Sequence, residues 1–286
     1  MRLSIVIPCF NSAQTLGEQL DALAGQTILP WEVILADNGS RDEARTIAAH
    51  YQTRLPNLRI IDASDRPGAA HARNAGARAA TGEAIAFCDA DDVVALDWVA
   101  AMTRALSQHD FVASRFESHK LNCPEIFRTR GYCQDKGMQQ FNPPFLPYAA
   151  GCGLGIRRSI HLAVGGLDET LSAHEDTDYC LRIQLAGTPL HFASDAGIHI
   201  RYRTDLKTMY RQAFTWAKAK VLIHKKYMPY GLQRPPLGKS VRELLVFCIW
   251  LVVKLVRMAP ASTWVWAVGS RLGRIAGAIR YRVLMF

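Results

Sequence analysis

Within the first 92 residues, short apolar runs, the second and third carrying one charged residue each (Glu32 and Arg59), alternate with stretches whose leucines and alanines recur at helical spacing. The runs occupy residues 3–7, 31–36, 58–61 and 84–88. A strand that is apolar throughout, without alternation, is one covered on both faces. The first and fourth runs read so, and four strands separated by three helices specify crossover connections, which run right-handed and pair the strands in parallel. The predicted class is therefore α/β, a Rossmann-like, mainly parallel sheet flanked by helices.

Punctuation residues set the element ends. Pro8 stops the first strand, and Asn11 or Ser12 is placed to cap a helix carrying Leu16, Leu20 and Leu23, with Thr15-x-x-Glu18 as an alternative capping box. Asp37-Asn38-Gly39-Ser40 closes the second strand, and Ser40-x-x-Glu43 predicts a capping box for a helix ending near His50. Gly68 opens an Ala-rich helix bearing His71, Arg73 and Asn74, which Thr81-Gly82 ends.

The fourth run breaks into Asp89-Ala90-Asp91-Asp92. In an open parallel sheet ligands sit beyond the carboxyl ends of the strands, so these acids fall where a ligand is expected. Carboxylates flanking one small residue suit a hard divalent cation shared with phosphate oxygens. Acids after a strand also begin turns and cap helices, so the spacing by itself serves either purpose.

Beyond residue 92 the pattern loosens. Residues 115–147 are polar and contain Pro124, Pro143 and Pro144, which predicts loops. Residues 148–156 read as a Gly-rich strand whose Gly151, Gly153 and Gly155 permit close approach of a ligand. Gly165-Gly166-Leu167-Asp168 is a turn, and His174-Glu175-Asp176-Thr177-Asp178 starts a helix over residues 179–186 that Gly187 stops. Residues 190–193 and 198–202 are predicted closing strands, the second with His199, Arg201 and Arg203 on one face. A cationic helix is predicted over about residues 206–227, and no internal repeat is present.

Charge divides the chain. The formal net charge of +9 is carried by the last third: residues 1–200 hold 17 Lys/Arg against 23 Asp/Glu, whereas residues 201–286 hold 17 against 2. A basic segment rich in Trp, Leu, Val and Ile favours an anionic membrane surface over nucleic acid. The seven scattered cysteines include no Cys-x-x-Cys, which fits a reducing compartment. Pro8, Asn11 and Gln14 interrupt the first apolar run before it can form a signal-peptide core.

Six short elements in one order resemble the family 2 glycosyltransferases of the GT-A fold. They are Ile5-Val6-Ile7-Pro8-Cys9-Phe10-Asn11, Ala36-Asp37-Asn38-Gly39-Ser40, Ala72-Arg73-Asn74-Ala75-Gly76, Asp89-Ala90-Asp91-Asp92, Gly165-Gly166-Leu167-Asp168 and Glu175-Asp176-Thr177-Asp178. The resemblance implies an inverting, metal-dependent glycosyltransferase that moves a sugar from a nucleotide diphosphate to an acceptor hydroxyl, with Mg2+ or Mn2+. It implies a nucleotide site of Pro8, Asn11, Asp37, Arg73, Asn74 and Asp89, in which Asp37 meets a uracil ring or ribose. It places Asp91 on the metal, with His199 as a further ligand and Arg201 and Arg203 near the phosphates. Gly166, Asp168 and Glu175 fall on the acceptor side, and Asp176 is the implied base with Glu175 as the alternative. A UDP-sugar is the favoured donor, with a dTDP-sugar as the other choice. A nucleotidyltransferase would want a Gly-rich, basic phosphate loop after the first strand, which Pro8-Cys9-Phe10-Asn11 lacks; a non-catalytic sugar-nucleotide scaffold would not need the acids.

The predicted organisation is a GT-A domain over residues 1–203, with a nucleotide half to residue 92 and an acceptor half from 93, followed by a helical region over residues 204–286. Residues 244–253 are uninterrupted apolar sequence, too short for a comfortable span. Trp264, Trp266, Arg271, Arg274, Arg280 and Arg282 then mix aromatic and basic character, which suits the headgroup region of a bilayer. The expectation is a membrane-associated extension on the cytoplasmic face of the inner or plasma membrane, serving a lipid-linked glycan acceptor in bacterial surface polysaccharide synthesis; the other reading is a helical hairpin packed on the protein.

Overall fold

The computed structural model describes residues 1–130, 133–234 and 260–283. Its strands are β1 (Leu3–Cys9), β2 (Glu32–Asp37), β3 (Leu58–Asp62), β4 (Ala84–Phe87), β5 (Val93–Val94), β6 (Phe111–Glu117), β7 (Leu154–Arg157) and β8 (His191–His199). The helices are α1 (Leu16–Ala24), α2 (Ala44–Tyr51), α3 (Ala69–Ala79), α4 (Trp98–Gln108), α5 (Pro124–Arg130), α6 (Arg158–Ala163), α7 (Glu175–Leu185), α8 (Leu206–Tyr227) and α9 (Ala261–Tyr281).

One sheet contains all eight strands, in the order β3-β2-β1-β4-β7-β6-β8-β5. The β1–β2, β2–β3, β1–β4 and β6–β8 pairs are parallel, and β7 runs antiparallel to both β4 and β6. Alternation along the strands divides the core. Leu3, Ile5 and Ile7 point with Leu16, Leu20, Leu23, Trp98 and Met102 to one side. Val6, Ile34 and Ile85 point to the other, against Ala70 and Ala77 of α3, Tyr179 and Leu181 of α7, and Ile223 and Tyr227 of α8. Both faces are thus covered, as continuous apolarity predicts, and the carboxyl ends of β1, β2 and β4 are left as the open edge.

Local chemistry departs from several sequence expectations. The Ser40-x-x-Glu43 capping box does not form: Ser40 Oγ accepts from the Asn11 N–H at 3.0 Å, and Asp42 meets the Ala44 N–H at 3.2 Å instead. No side chain caps α1. Residues 115–147 are less irregular than their composition suggests, because β6 continues to Glu117 and α5 follows. Only Leu154–Arg157 of the Gly-rich stretch is a strand. The two predicted closing strands are one, His191–His199, whose register on β6 shifts at Ser114/Arg115 so that both ends stay paired. Arg201 and Arg203 therefore lie beyond the strand.

The tail is built into the body. α9 lies along α8, with Gly269 facing Tyr210 and Ala213, Gly273 facing the Phe214 backbone and Gly277 facing Lys218 and Val221. A Cβ at Gly277 would stand 2.9 Å from the Lys218 carbonyl oxygen, so glycine is what lets the two helices approach. No described helix is long and apolar enough to cross a membrane. Residues 244–253 lie outside the described residues.

Candidate active site

The acid turn follows β4 directly and is held by a strap from the far edge of the sheet. Asp92 is buried and its Oδ1 accepts the Arg201 N–H at 2.8 Å, while Arg201 Nε donates to the Asp91 carbonyl at 2.9 Å and its Nη2 to Glu18 at 2.8 Å. Arg201 thus positions the turn rather than standing free for a phosphate. Asp89 faces inward and takes a bond from Arg73 Nη2 at 2.6 Å. Arg73, buried on α3, also donates through Nη1 to Glu175 at 3.2 Å, and its Nε has no partner. One guanidinium therefore ties the end of β4 to the start of α7. Burial opposes the charge on Arg73, but Asp89 and Glu175 outweigh it and hold the group firmly protonated.

Opposite the acid turn, α7 presents Glu175 and Asp176. Asp176 accepts the Gly151 N–H at 3.0 Å and the Thr177 N–H at 2.6 Å, which fixes its carboxylate in the helix's first turn. Burial and the neighbouring Asp176 charge push Glu175 up to about 7, with Arg73 pulling the other way. Gly151 is the glycine of its stretch that borders the site, since a Cβ there would lie 3.1 Å from the Arg73 guanidinium carbon. Gly153 and Gly155 make their close approaches to core side chains instead, Ser114 for the first and Met102 for the second, so the expected ligand contact fails at those two.

A divalent cation fits this chemistry. Ligand atoms of Asp89, Asp92 and Cys152 lie within 4.8 Å of one another. Asp91, the predicted ligand, is not one of these three; its side chain reaches solvent at the mouth, where loss of water around it, then the Asp89 charge, raises its pKa, and Asp92 is raised further by burial and by Asp91 and Asp89. Carboxylates forced to hold protons by one another are what a cation would relieve. Burial, then the Asp92 and Asp89 charges, keep Cys152 a neutral thiol, so the hard donors are the carboxylates. His199 stands outside this cluster; its Nδ1 bonds Glu117 at 2.8 Å, which leaves Nε2 as the other face of the ring.

The nucleotide side gathers at the ends of β1 and β2. Asp37 is buried and accepts Ser40 N–H at 3.2 Å and Arg45 Nη1 at 3.1 Å. Asn11 adopts a left-handed conformation, φ 51°, and its Oδ1 accepts the Arg41 N–H at 2.8 Å. Pro8 pairs beside Ala36 in the sheet, and Phe10 is left 60% exposed at the rim. Asn74 does not face this space: its amide donates to the Leu167 carbonyl and Glu169, and its oxygen accepts the Leu167 N–H, so it clamps the acceptor-side turn. Gly166 in that turn has φ 71° and packs against the Asn74 amide, which excludes a side chain there. Asp168 bonds Thr170 and Lys226.

Sequence reasoning missed the reach of Arg73 across the cleft and the meeting of Cys152 with the acids, neither of which has a local signal. It also missed His71, bonded to Glu169 at 2.9 Å and Asp65 at 2.8 Å. Burial disfavours its charged form, but the two carboxylates more than compensate and raise its pKa.

A Rossmann-like sheet with acids at its switch point and a second acid pair across the cleft defines a GT-A-like protein. The chain belongs to glycosyl transferase family 2, whose model matches residues 4–165. It is 28% identical over 188 residues to the uncharacterised glycosyltransferase YwdF of Bacillus subtilis, covering 64% of this chain and 68% of that one. Matches to further curated relatives span 27%, 30% and 36% of their lengths. Among solved structures, the fold is similar to the mannosyltransferase PcManGT of Pyrobaculum calidifontis in complex with GDP-Man and Mn2+, with a TM-score of 0.69 at 18% identity over 96% of this chain and 86% of that one. It is also similar to Staphylococcus aureus TarS 1-349 in complex with UDP-GlcNAc, with a TM-score of 0.56 at 16% identity over 99% and 92%.

Proposed function

We propose that the protein is an inverting glycosyltransferase that moves a sugar from a nucleotide diphosphate, with a UDP-sugar favoured, to a hydroxyl on a lipid-linked glycan in surface polysaccharide assembly. The observation that carries this reading is the Arg73 bridge, which sets the strand-end acids and the α7 acids on opposite walls of one cleft. Inverting transfer needs one carboxylate as base, because the departing diphosphate is stable as an anion.

In this reading Asp37 accepts from the base or ribose once Arg45 yields, and the exposed Phe10 ring offers a stacking face. Asp176 takes the acceptor's proton, and its two backbone bonds hold it in place for that step. Glu175 is the alternative base, since its raised pKa matches a proton acceptor near neutrality. Arg73 orients Asp89 and offers charge-assisted bonds to phosphate oxygens. Asp91 and Asp89 would hold Mg2+ or Mn2+, with His199 Nε2 as a further donor; a bound cation supplies charge stabilisation to the diphosphate.

Membrane attachment is assigned to α9. Leu272, Ile275 and Ile279 are exposed at spacings of three and four, Arg280 and Arg282 stand exposed beyond them, and the helix contains no acid. These features support the reading that the protein attaches to an anionic cytoplasmic leaflet. The test is incubation with uridine- and thymidine-diphosphate sugars, Mg2+ or Mn2+ and membrane lipid extract, with measurement of nucleotide diphosphate release. Release of pyrophosphate, or no turnover with any donor, would overturn the assignment.

A further inference from the structure

We propose that an open pocket on α8 beside the acid turn is a subsite for the phosphate or diphosphate group of the acceptor. This rests on the glycosyl-transfer reading and adds to it where the acceptor is held. The pocket has a volume of about 300 Å3 and is lined by Arg203, Thr208, Arg211, Gln212, Thr215 and Trp216. The α8 residues recur at spacings of three and four, so they form one helix face. No carboxylate lines it.

Three features suit it to an anion. Arg203 and Arg211 are exposed and join no ion pair among the described residues, whereas Lys226 on the same helix is paired twice. Behind them, Arg130 is half-buried with no carboxylate partner among the described residues; its guanidinium lies 3.6 Å from the Trp266 ring centre, 4.8 Å from Tyr202 and 5.3 Å from Trp216. Burial lowers its pKa only to about 10, so it is still a cation at neutral pH. Arg130 Nη1 donates to Gln212 Oε1 at 2.8 Å, and that bond turns the amide's two N–H donors the other way. Guanidinium and amide donors with a hydroxyl from Thr215 form a set that recognises phosphate oxygens.

Position decides which phosphate. Arg203 follows by two residues Arg201, whose Nε donates to the Asp91 carbonyl at 2.9 Å, so the pocket adjoins the mouth where the transferred sugar meets its acceptor. The donor diphosphate belongs on the other side, at Asp89 and Asp91. Trp266 of α9 packs edge-on against the lining Trp216, ring centres 6.1 Å apart, which brings the helix with the exposed apolar strip against the helix that carries the anion site. A lipid chain on one side and a sugar hydroxyl on the other, joined by phosphate, is the ligand this arrangement fits.

The first experiment needs no turnover: calorimetric binding of inorganic pyrophosphate to the full chain in EDTA. Arg211→Ala is expected to weaken binding about tenfold or more, and Arg211→Lys less. Equal affinity in Arg211→Ala and the wild type, or displacement of pyrophosphate by uridine diphosphate, would overturn the proposal. These results stand whether or not any donor is consumed, so failure of the transferase reading is separately visible. With turnover, Arg211→Ala should raise the KM for extracted phosphate-bearing lipid acceptors tenfold or more while the donor KM stays within about twofold. Cosedimentation with phosphatidylglycerol vesicles should be the same for wild type and Arg211→Ala; selective loss in the variant would make the occupant a bilayer headgroup and sink the acceptor assignment.

Discussion

Helix α7 carries two kinds of acid one turn apart, and they have opposite surroundings. Asp178 is fully buried and answered completely, by Arg182 Nε at 2.7 Å, Lys226 Nζ at 2.7 Å and the Tyr227 hydroxyl at 2.7 Å. Glu175 shares one guanidinium with Asp89 and is pushed up to about 7. Asp178 fastens α8 to α7. Glu175, with Asp91 and Asp92 opposite, lacks enough counter-charge, and burial with like neighbours pushes all three toward keeping their protons. A carboxylate with more partners than it needs serves the scaffold, whereas one short of partners is placed for something that arrives.

The comparison can be broken at either end. The largest effect is expected from Asp91→Ala, which should abolish metal-dependent nucleotide binding and lower kcat/KM by about a thousandfold or more; titration of labelled donor with and without Mn2+ reads it. Asp176→Asn should lower kcat by roughly 10^2- to 10^4-fold with donor affinity preserved. Equal loss of donor binding in both variants would undo the separation of roles, and a large kcat loss confined to Glu175→Gln would move the base by one residue. Asp178→Ala should cost about 3–5 kcal/mol, because it leaves Lys226 and Arg182 without their buried partner, and denaturant unfolding measures it. At permissive temperature that variant should retain donor binding.

The smallest effect is a pair of pH dependences of opposite sign. Burial disfavours the Glu32 charge, but bonds from Thr81, Ser4 and Arg59 outweigh it and hold its pKa at about 2. Its folded value lies below the unfolded one, so its contribution is full above about pH 4.5 and is lost as pH falls toward 2. Glu175 is raised, so the folded state binds the extra proton and stability falls as pH rises from about 4.5 through 7. Glu32→Gln should therefore lower Tm by about 5 °C at pH 7 and little near pH 2, whereas Glu175→Gln should raise Tm at pH 8 and leave it near the wild type at pH 4.5.

Much of the first half was legible because its signals are local. Continuous apolarity in residues 3–7 and 84–88 reports two covered faces, and Asp89-Ala90-Asp91-Asp92 falls where the strand ends. Other features depend on partners distant in sequence. Nothing near Arg73 announces a bond to Glu175, 102 residues away. Asn74, adjacent to it in a motif that suggests nucleotide contact, is turned by helical geometry toward the Leu167 backbone. The Ser40 capping box failed because the Asn11 N–H claimed the hydroxyl first. Tail hydropathy suggested a membrane and was silent about the glycines at 269, 273 and 277, whose meaning depends on α8 lying against them.

Those glycines alter where the protein can be cut. α9 covers Ala213 and Val221 of α8, and Val283 joins Val221 in a small apolar cluster. Removing the chain after Arg234 would therefore strip a wall from the helix that also carries the Asp178 clamp and the arginine pocket. A shortened protein that precipitates would be reporting an exposed trough on α8, and inactivity in such a fragment would say nothing about a lost anchor.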